Sequence, residues 1–133
     1  MYGVPENLKL DAFLNEQIQI VHLGVHIFSL IFSDTLVISC EGQVVVTKSG
    51  VSTTIRRREW ENLIPLTSIQ YIPVIAYSID SKKSFSLTLK DNTKITFTDN
   101  SEEYESFQLT IGNEYWVISQ SLRAFRCFLW KEL

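Results

Sequence analysis

Phe28-Ser29-Leu30-Ile31-Phe32-Ser33-Asp34 returns 57 positions later (85 − 28) as Phe85-Ser86-Leu87-Thr88-Leu89-Lys90-Asp91. The two copies stay in step without a gap, for Ile38 aligns with Ile95, Ser39 with Thr96 and Cys40 with Phe97. In the second copy Phe85, Leu87 and Leu89 alternate with Ser84, Ser86, Thr88 and Lys90, and Thr93, Ile95 and Phe97 alternate with Lys94, Thr96 and Thr98. Period two marks a strand with one dry and one wet face, so each copy predicts an antiparallel hairpin.

Loop length fixes the register. A two-residue loop at Asp91-Asn92 would set Leu89 opposite Lys94 and send the two apolar rows to opposite faces. A three-residue loop, Lys90-Asp91-Asn92, pairs Leu89 with Thr93, Leu87 with Ile95 and Phe85 with Phe97, and puts Asn92 at the left-handed position that Asn tolerates. The same pairing in the first copy sets Phe32 opposite Leu36, Leu30 opposite Ile38 and Phe28 opposite Cys40. There the left-handed residue would be Thr35, whose branched Cβ resists positive φ, so a differently built first turn is expected.

Working outward, Met1 to Lys9 reads as an arm with a short helical turn around Leu8 to Leu14, and Glu16 to His26 as a strand with a bulge at Gly24. Glu41-Gly42 turns into Val44-Val45-Val46, a β-branched run that suits burial on both faces. Ser49-Gly50 turns into a strand from Val51. Residues 59–68 form a connector, a short helix or loop in which Pro65 discourages helix at the residue before it. Ile69 to Ile79 reads as a strand that Pro73 confines to an edge or bulge. Gly112-Asn113 suits a two-residue hairpin loop pairing Ile111 with Glu114, Leu109 with Trp116 and Phe107 with Ile118. Ser119 or Ser121 could cap a C-terminal helix over 119–133, with Leu122, Phe125 and Leu129 on one face. The apolar Phe128 and Trp130 make this segment a candidate for self-association.

The expected architecture is therefore all-β or β-dominated: one domain over 1–133, with two related antiparallel halves (14–58 and 69–118) of about four strands each. These form a sandwich or partly open barrel with a short C-terminal helix. A chain of 133 residues suits one core burying roughly two thirds of its unfolded surface.

At Tyr104-Glu105-Ser106-Phe107-Gln108-Leu109, preceded by the Phe85-to-Phe97 hairpin, the sequence resembles a family of small bacterial β-rich domains of unknown function. Their tyrosine-glutamate-serine-aromatic-glutamine-aliphatic motif follows a strand, a polar turn and a second strand. The likeness spans residues 14 to 118. It departs at Lys90-Asp91-Asn92, where an Asp-Gly turn is usual, and in the Arg56 to Leu66 connection. The resemblance implies a fold; the family's role is unsettled, so it implies no activity.

Composition narrows the chemistry. A net charge of −3 argues against a polyanion-binding surface. Arg56-Arg57-Arg58 beside Trp60 invites nucleic acid, but Glu59 and Glu61 neutralise the run, so a nucleic-acid partner is disfavoured. His22 and His26 lie four apart on a strand, about 13 Å along the chain, too far to share one metal. No serine or cysteine has a base and an orienting group proposed beside it, and burial would raise the pKa of Cys40 and make it a poor nucleophile. The five glycines are scattered singly, with none in the spacing of a phosphate loop. No metal, cofactor or enzymatic activity is expected.

Cys40 and Cys127 lie among apolar residues and read as buried reduced thiols. With no basic start followed by an apolar core, and no apolar run near the ~20 residues that span a bilayer, a cytoplasmic protein away from membranes is expected. The most specific feature is the acidic cluster Asp99, Glu102, Glu103 and Glu105 around Tyr104. Glu105 shares the parity of Phe107 and Leu109, so it needs a partner, and Arg56–Arg58 could supply one. The leading expectation is a non-catalytic protein, immunity-like or accessory, that binds another protein through Asp99, Glu102, Glu103 and Tyr104. The alternative is a β-barrel holding an apolar small molecule among its eight phenylalanines and three tryptophans.

Overall fold

A computed structural model describes residues 4–25, 27–55, 64–99 and 106–118, and the backbone of 125–128. Eleven strands are described: β1 Ile20–Leu23, β2 Phe28–Ser33, β3 Leu36–Cys40, β4 Gln43–Lys48, β5 Val51–Ile55, β6 Val74–Ile79, β7 Ser84–Leu89, β8 Lys94–Thr98, β9 Phe107–Ile111, β10 Glu114–Ile118 and β11 Phe125–Phe128. A 3-10 turn at Asp11–Phe13 and one helical turn, α1 at Ile64–Thr67, complete the described elements. The strands make two antiparallel sheets packed as a sandwich, in the orders β1-β2-β3-β9-β10-β11 and β5-β4-β8-β7-β6. The sheets do not close into a barrel.

Both repeated segments form hairpins, but in opposite sheets: β2-β3 in the six-stranded one and β7-β8 in the five-stranded one. Their registers match, with Phe28 opposite Cys40 and Leu30 opposite Ile38 in one, and Phe85 opposite Phe97 and Leu87 opposite Ile95 in the other. The second turn has the expected three-residue loop. The Leu89 amide donates to the Thr93 carbonyl at 2.8 Å, and Asn92 takes φ 69°. The first turn differs. Ser33, not Phe32, faces Leu36, because a bulge at Phe32 shortens the loop to two residues and spares Thr35 a positive φ. Gly112, at φ 63°, closes the β9-β10 hairpin, which pairs Ile111 with Glu114, Leu109 with Trp116 and Phe107 with Ile118 as expected.

The five strands β1 to β5 and the five strands β6 to β10 are arranged alike, which is one strand more in each half than the periodicity suggested. Replacing β1, β2, β3, β9 and β10 by β6, β7, β8, β4 and β5 converts the first five positions of one sheet into the whole of the other. Each half thus builds three adjacent strands of one sheet and sends its remaining hairpin, β4-β5 or β9-β10, into the other.

The core lies between the sheets. Leu30, Ile38, Leu87, Ile95 and Leu109 are fully buried, and Phe107 of one sheet meets Phe85 and Phe97 of the other edge-on at 5.8 and 5.6 Å between ring centres. Such pairs add about 0.5–1.5 kcal/mol each beyond burial. Outer faces are hydroxyl-rich, with cross-strand bonds between Ser29 and Ser39, Thr47 and Ser52, and Ser78 and Ser86.

Other expectations are corrected. The described part of the N-terminal arm is not loose: Val4, Leu8, Leu10 and Phe13 are buried, and Val4 donates to the Lys82 carbonyl at 2.6 Å. Their apolar spacing follows the contours of the sandwich rather than a regular period. The expected strand through Gly24 stops at Leu23, where the Gly24 amide turns back to the Ile27 carbonyl at 2.8 Å. Val44 and Val46 are buried and Val45 is partly so, close to the burial on both faces that the β-branched run suits. The strand expected from Ile69 starts at Val74, after Pro73, and lies at a sheet edge as proline requires. The C-terminal helix is replaced over Phe125–Phe128 by β11, whose backbone satisfies the open edge of β10. The rest of that segment lies outside the described residues.

Candidate functional site

The two halves cross from one sheet to the other side by side. In the first half the crossing is the connection from β3 to β4, and in the second the connection from β8 to β9. Cys40, the end of β3, pairs with Phe107, the start of β9, and Gln43, the start of β4, pairs with Thr98, the end of β8. These four residues frame both crossings.

The packing inside this frame is close. A Cβ on Gly42 would stand 2.9 Å from Phe107 Cζ, Ser106 Cβ and the Thr98 carbonyl oxygen, so the position requires glycine on steric grounds. The Glu41 and Gly42 amides both donate to the Ser106 carbonyl at 2.8 Å. The Ser106 amide donates to the Ile118 carbonyl at 2.9 Å, and the Asp99 amide to the Lys83 carbonyl at 2.7 Å. Ser106 Oγ donates to Asp99 Oδ1 at 2.5 Å. Both residues are fully buried, so this bond works as a tie between the ends of the second crossing.

The expected contact residues are therefore divided. Asp99 does not present a surface: burial turns its carboxylate into the protein, where it holds the crossing. Glu102, Glu103 and Tyr104 lie outside the described residues, as do Glu105, Arg56–Arg58 and Trp60. Their segment, 100–105, joins the two tied ends. Beside Ser106, Glu41 and Gln108 are half-buried, and Gln108 Nε2 donates to Glu41 Oε2 at 3.1 Å. Glu41 had no local signature in the sequence. The gapless repeat alignment points to its neighbour, because 57 residues after Gly42 stands Asp99, and the two crossings are equivalent positions.

Elsewhere, His22 is exposed on the edge strand β1, opposite Ser29, and His26 lies outside the described residues. Among the described residues no group of three or more His, Cys, Asp or Glu side chains could hold a metal. Cys40 is a free, fully buried thiol, and burial pushes its pKa well up, as its strand position predicted. The side chain of Cys127 is outside the description. At the second hairpin turn Asp91 accepts from the Thr93 amide at 3.1 Å and faces Lys48 Nζ at 3.5 Å. Hydrogen bonding to Thr93, with help from the Lys48 charge, lowers its pKa.

No family model matches the chain, and no curated protein or solved structure matches it. Among the described residues no helix is long and apolar enough to cross a membrane.

Proposed function

We propose that this chain is a non-catalytic binding protein, immunity-like or accessory, that takes a basic protein partner on the surface bearing Glu102, Glu103 and Tyr104. The observation that carries this reading is the unequal length of the two equivalent crossings. Two residues, Glu41 and Gly42, suffice between β3 and β4, whereas eight, 99–106, run between β8 and β9. The pairs Cys40 with Phe107 and Gln43 with Thr98 give both crossings the same gap to span. Six residues, Asn100-Ser101-Glu102-Glu103-Tyr104-Glu105, are thus surplus to the crossing. They carry three carboxylates and an aromatic ring on a base tied by Asp99 and Ser106. Loops held by a rigid scaffold are where binding residues concentrate, and a local negative field selects a positive partner. Asp99 leaves the contact set and becomes its anchor.

The small-molecule alternative loses support, because it needs a barrel, whereas the sheets form an open sandwich in which Phe85, Phe97 and Phe107 pack against one another. In this proposal the protein acts in a reducing compartment, the cytoplasm, which the buried free thiol of Cys40 suits. The resemblance around Tyr104 to Leu109 supports a bacterial source.

The test is capture from lysate of the source organism on immobilised protein, comparing the wild type with Glu102→Lys/Glu103→Lys at low and moderate salt. The expected result is one stoichiometric partner, weakened by salt and lost with the double reversal. Equal capture by both proteins, or no partner at either salt, overturns the proposal.

A further inference from the structure

The exchange of hairpins between the halves makes each half incomplete in a particular way. Taken alone, β1 to β5 would leave β3 with an open edge behind the apolar row Leu36, Ile38 and Cys40, and would leave the β4-β5 hairpin with an open edge at β4. In the chain β9 fills the first edge and β8 fills the second. The strands β8 and β9 hold in their own half the places that β3 and β4 hold in theirs. What each half lacks is therefore what each half offers. An interface of that kind is self-complementary, as in a two-fold symmetric dimer.

The two bridging ladders carry much of the core. Ile38 faces Leu109 and Cys40 faces Phe107 across one, while Val44 faces Phe97 and Val46 faces Ile95 across the other, all of them buried. Gly42 seals the point where the ladders meet, since any side chain there would push the crossings apart. Open strand edges with an apolar face behind them are strong templates for pairing with another chain.

We propose that the interface between the halves accepts the same half from a second copy of this chain, so that two chains can exchange halves across the connection at 56–63. The partner is chemically defined: β3 of one copy takes β9 of the other, and β8 takes β4, in the register the intact chain shows. In the intact chain the connection holds the two halves at high effective concentration, so closure within one chain dominates in dilute solution. Cutting the connection removes that advantage.

The experiment uses the full chain with a protease site placed within residues 59–63. Cleaved protein is prepared unlabelled and uniformly nitrogen-15 labelled, mixed, unfolded in urea, refolded by dilution and weighed by native mass spectrometry. The expected particles contain one N-terminal and one C-terminal piece in all four label combinations at equal abundance, with the circular dichroism of the uncut protein. Leu109→Asp, on the β3–β9 ladder, abolishes this reassembly, whereas Val51→Asp, on the exposed free edge of β5, leaves it intact. The inference is overturned if either piece folds and remains alone, if cleaved pieces fail to rejoin while the uncut chain refolds, or if Leu109→Asp reassembles like Val51→Asp.

Discussion

Deleting residues 100–105 joins Asp99 directly to Ser106 and gives the second crossing the two-residue length of the first. The geometry allows it, because Cys40 with Phe107 and Gln43 with Thr98 bracket both crossings. Two terms set the expected stability. Shortening the connection from eight residues to two is two halvings, worth about 1.2 kcal/mol in favour of the native state from loop closure. Against it stands the Ser106–Asp99 bond of 2.5 Å. Neighbouring residues cannot be relied on to keep that geometry, and leaving a buried polar group without its hydrogen bond costs about 1–3 kcal/mol. The net change therefore lies between a gain of about 1 and a loss of about 2 kcal/mol. A domain of ordinary stability, about 5–15 kcal/mol, stays folded through that range. Urea unfolding followed by circular dichroism measures it, and an unchanged m-value shows that the same surface is exposed on unfolding. The same variant should capture no partner. A protein that fails to fold, or loses more than ~3 kcal/mol, would mean that the six residues build the crossing, and the length argument would fall. Full stability with undiminished capture would leave the crossing analysis standing and place the binding surface elsewhere.

Gly42→Ala should destabilise the protein by about 1–3 kcal/mol, since the new methyl meets three atoms at 2.9 Å and the Phe107 ring is held edge-on against the stacked pair of Phe85 and Phe97. A midpoint in urea within error of the wild type would show that the crossings can separate at little cost. In a Cys127→Ser background Cys40 should resist alkylation at pH 8 in native buffer and react freely in denaturant, because burial both hides the thiol and raises its pKa. Comparable labelling rates in the two conditions would place Cys40 at an opening segment. Asp91 has a folded-state pKa below its unfolded value, so its contribution is present above the unfolded value, near 4, and is lost as pH falls through the folded one. Asp91→Asn should flatten the acid limb of a stability–pH curve slightly, the group being largely exposed to solvent screening, and a steeper limb would reverse the sign of the argument.

What could be read in the sequence was the part that neighbours along the chain decide. The alternation of Phe85, Leu87 and Leu89 with polar residues fixes which face is dry, and keeping both apolar rows on that face then selects a three-residue loop over a two-residue one, with Asn92 at the left-handed position. The same reasoning flagged Thr35 as unsuited to that loop, and the bulge at Phe32 is how the chain avoids it. The C-terminal segment went the other way. Serine caps and three apolar residues at helical spacing argued for a helix, but β10 offered an unpaired edge, and satisfying a row of backbone groups outweighs a weak helical preference. Asp99 is buried where its neighbours in sequence suggest a surface, for a related reason. Its acidic neighbours suggested a solvated cluster, whereas its alignment with Gly42, inside the tightest contact of the fold, pointed to burial.

The sheet that each hairpin joins was beyond local reading, and it is also what gives the acidic segment its meaning. Alternation tells β4-β5 and β9-β10 which face to bury but not which sheet to enter, because both sheets offer an apolar inner face and a free edge. The choice follows from crossing length and from Gly42. A two-residue connection whose second residue, Gly42, has no side chain lets β4 leave the plane of β3 at once and lie in the opposite sheet beside β8, with Val44 against Phe97. Once the first crossing is so short, the second must run alongside it, because β9 can reach the open edge of β3 only by passing through the same frame. The fold thus fixes the ends of the β8–β9 connection to within the reach of two residues while leaving its length free. Length at that point costs only the slowly growing entropy of a longer loop, so a charged segment can be carried there with the core unaltered. Where the segment 100–105 leaves and rejoins the described fold, at Asp99 and Ser106, is a consequence of the exchange between the halves.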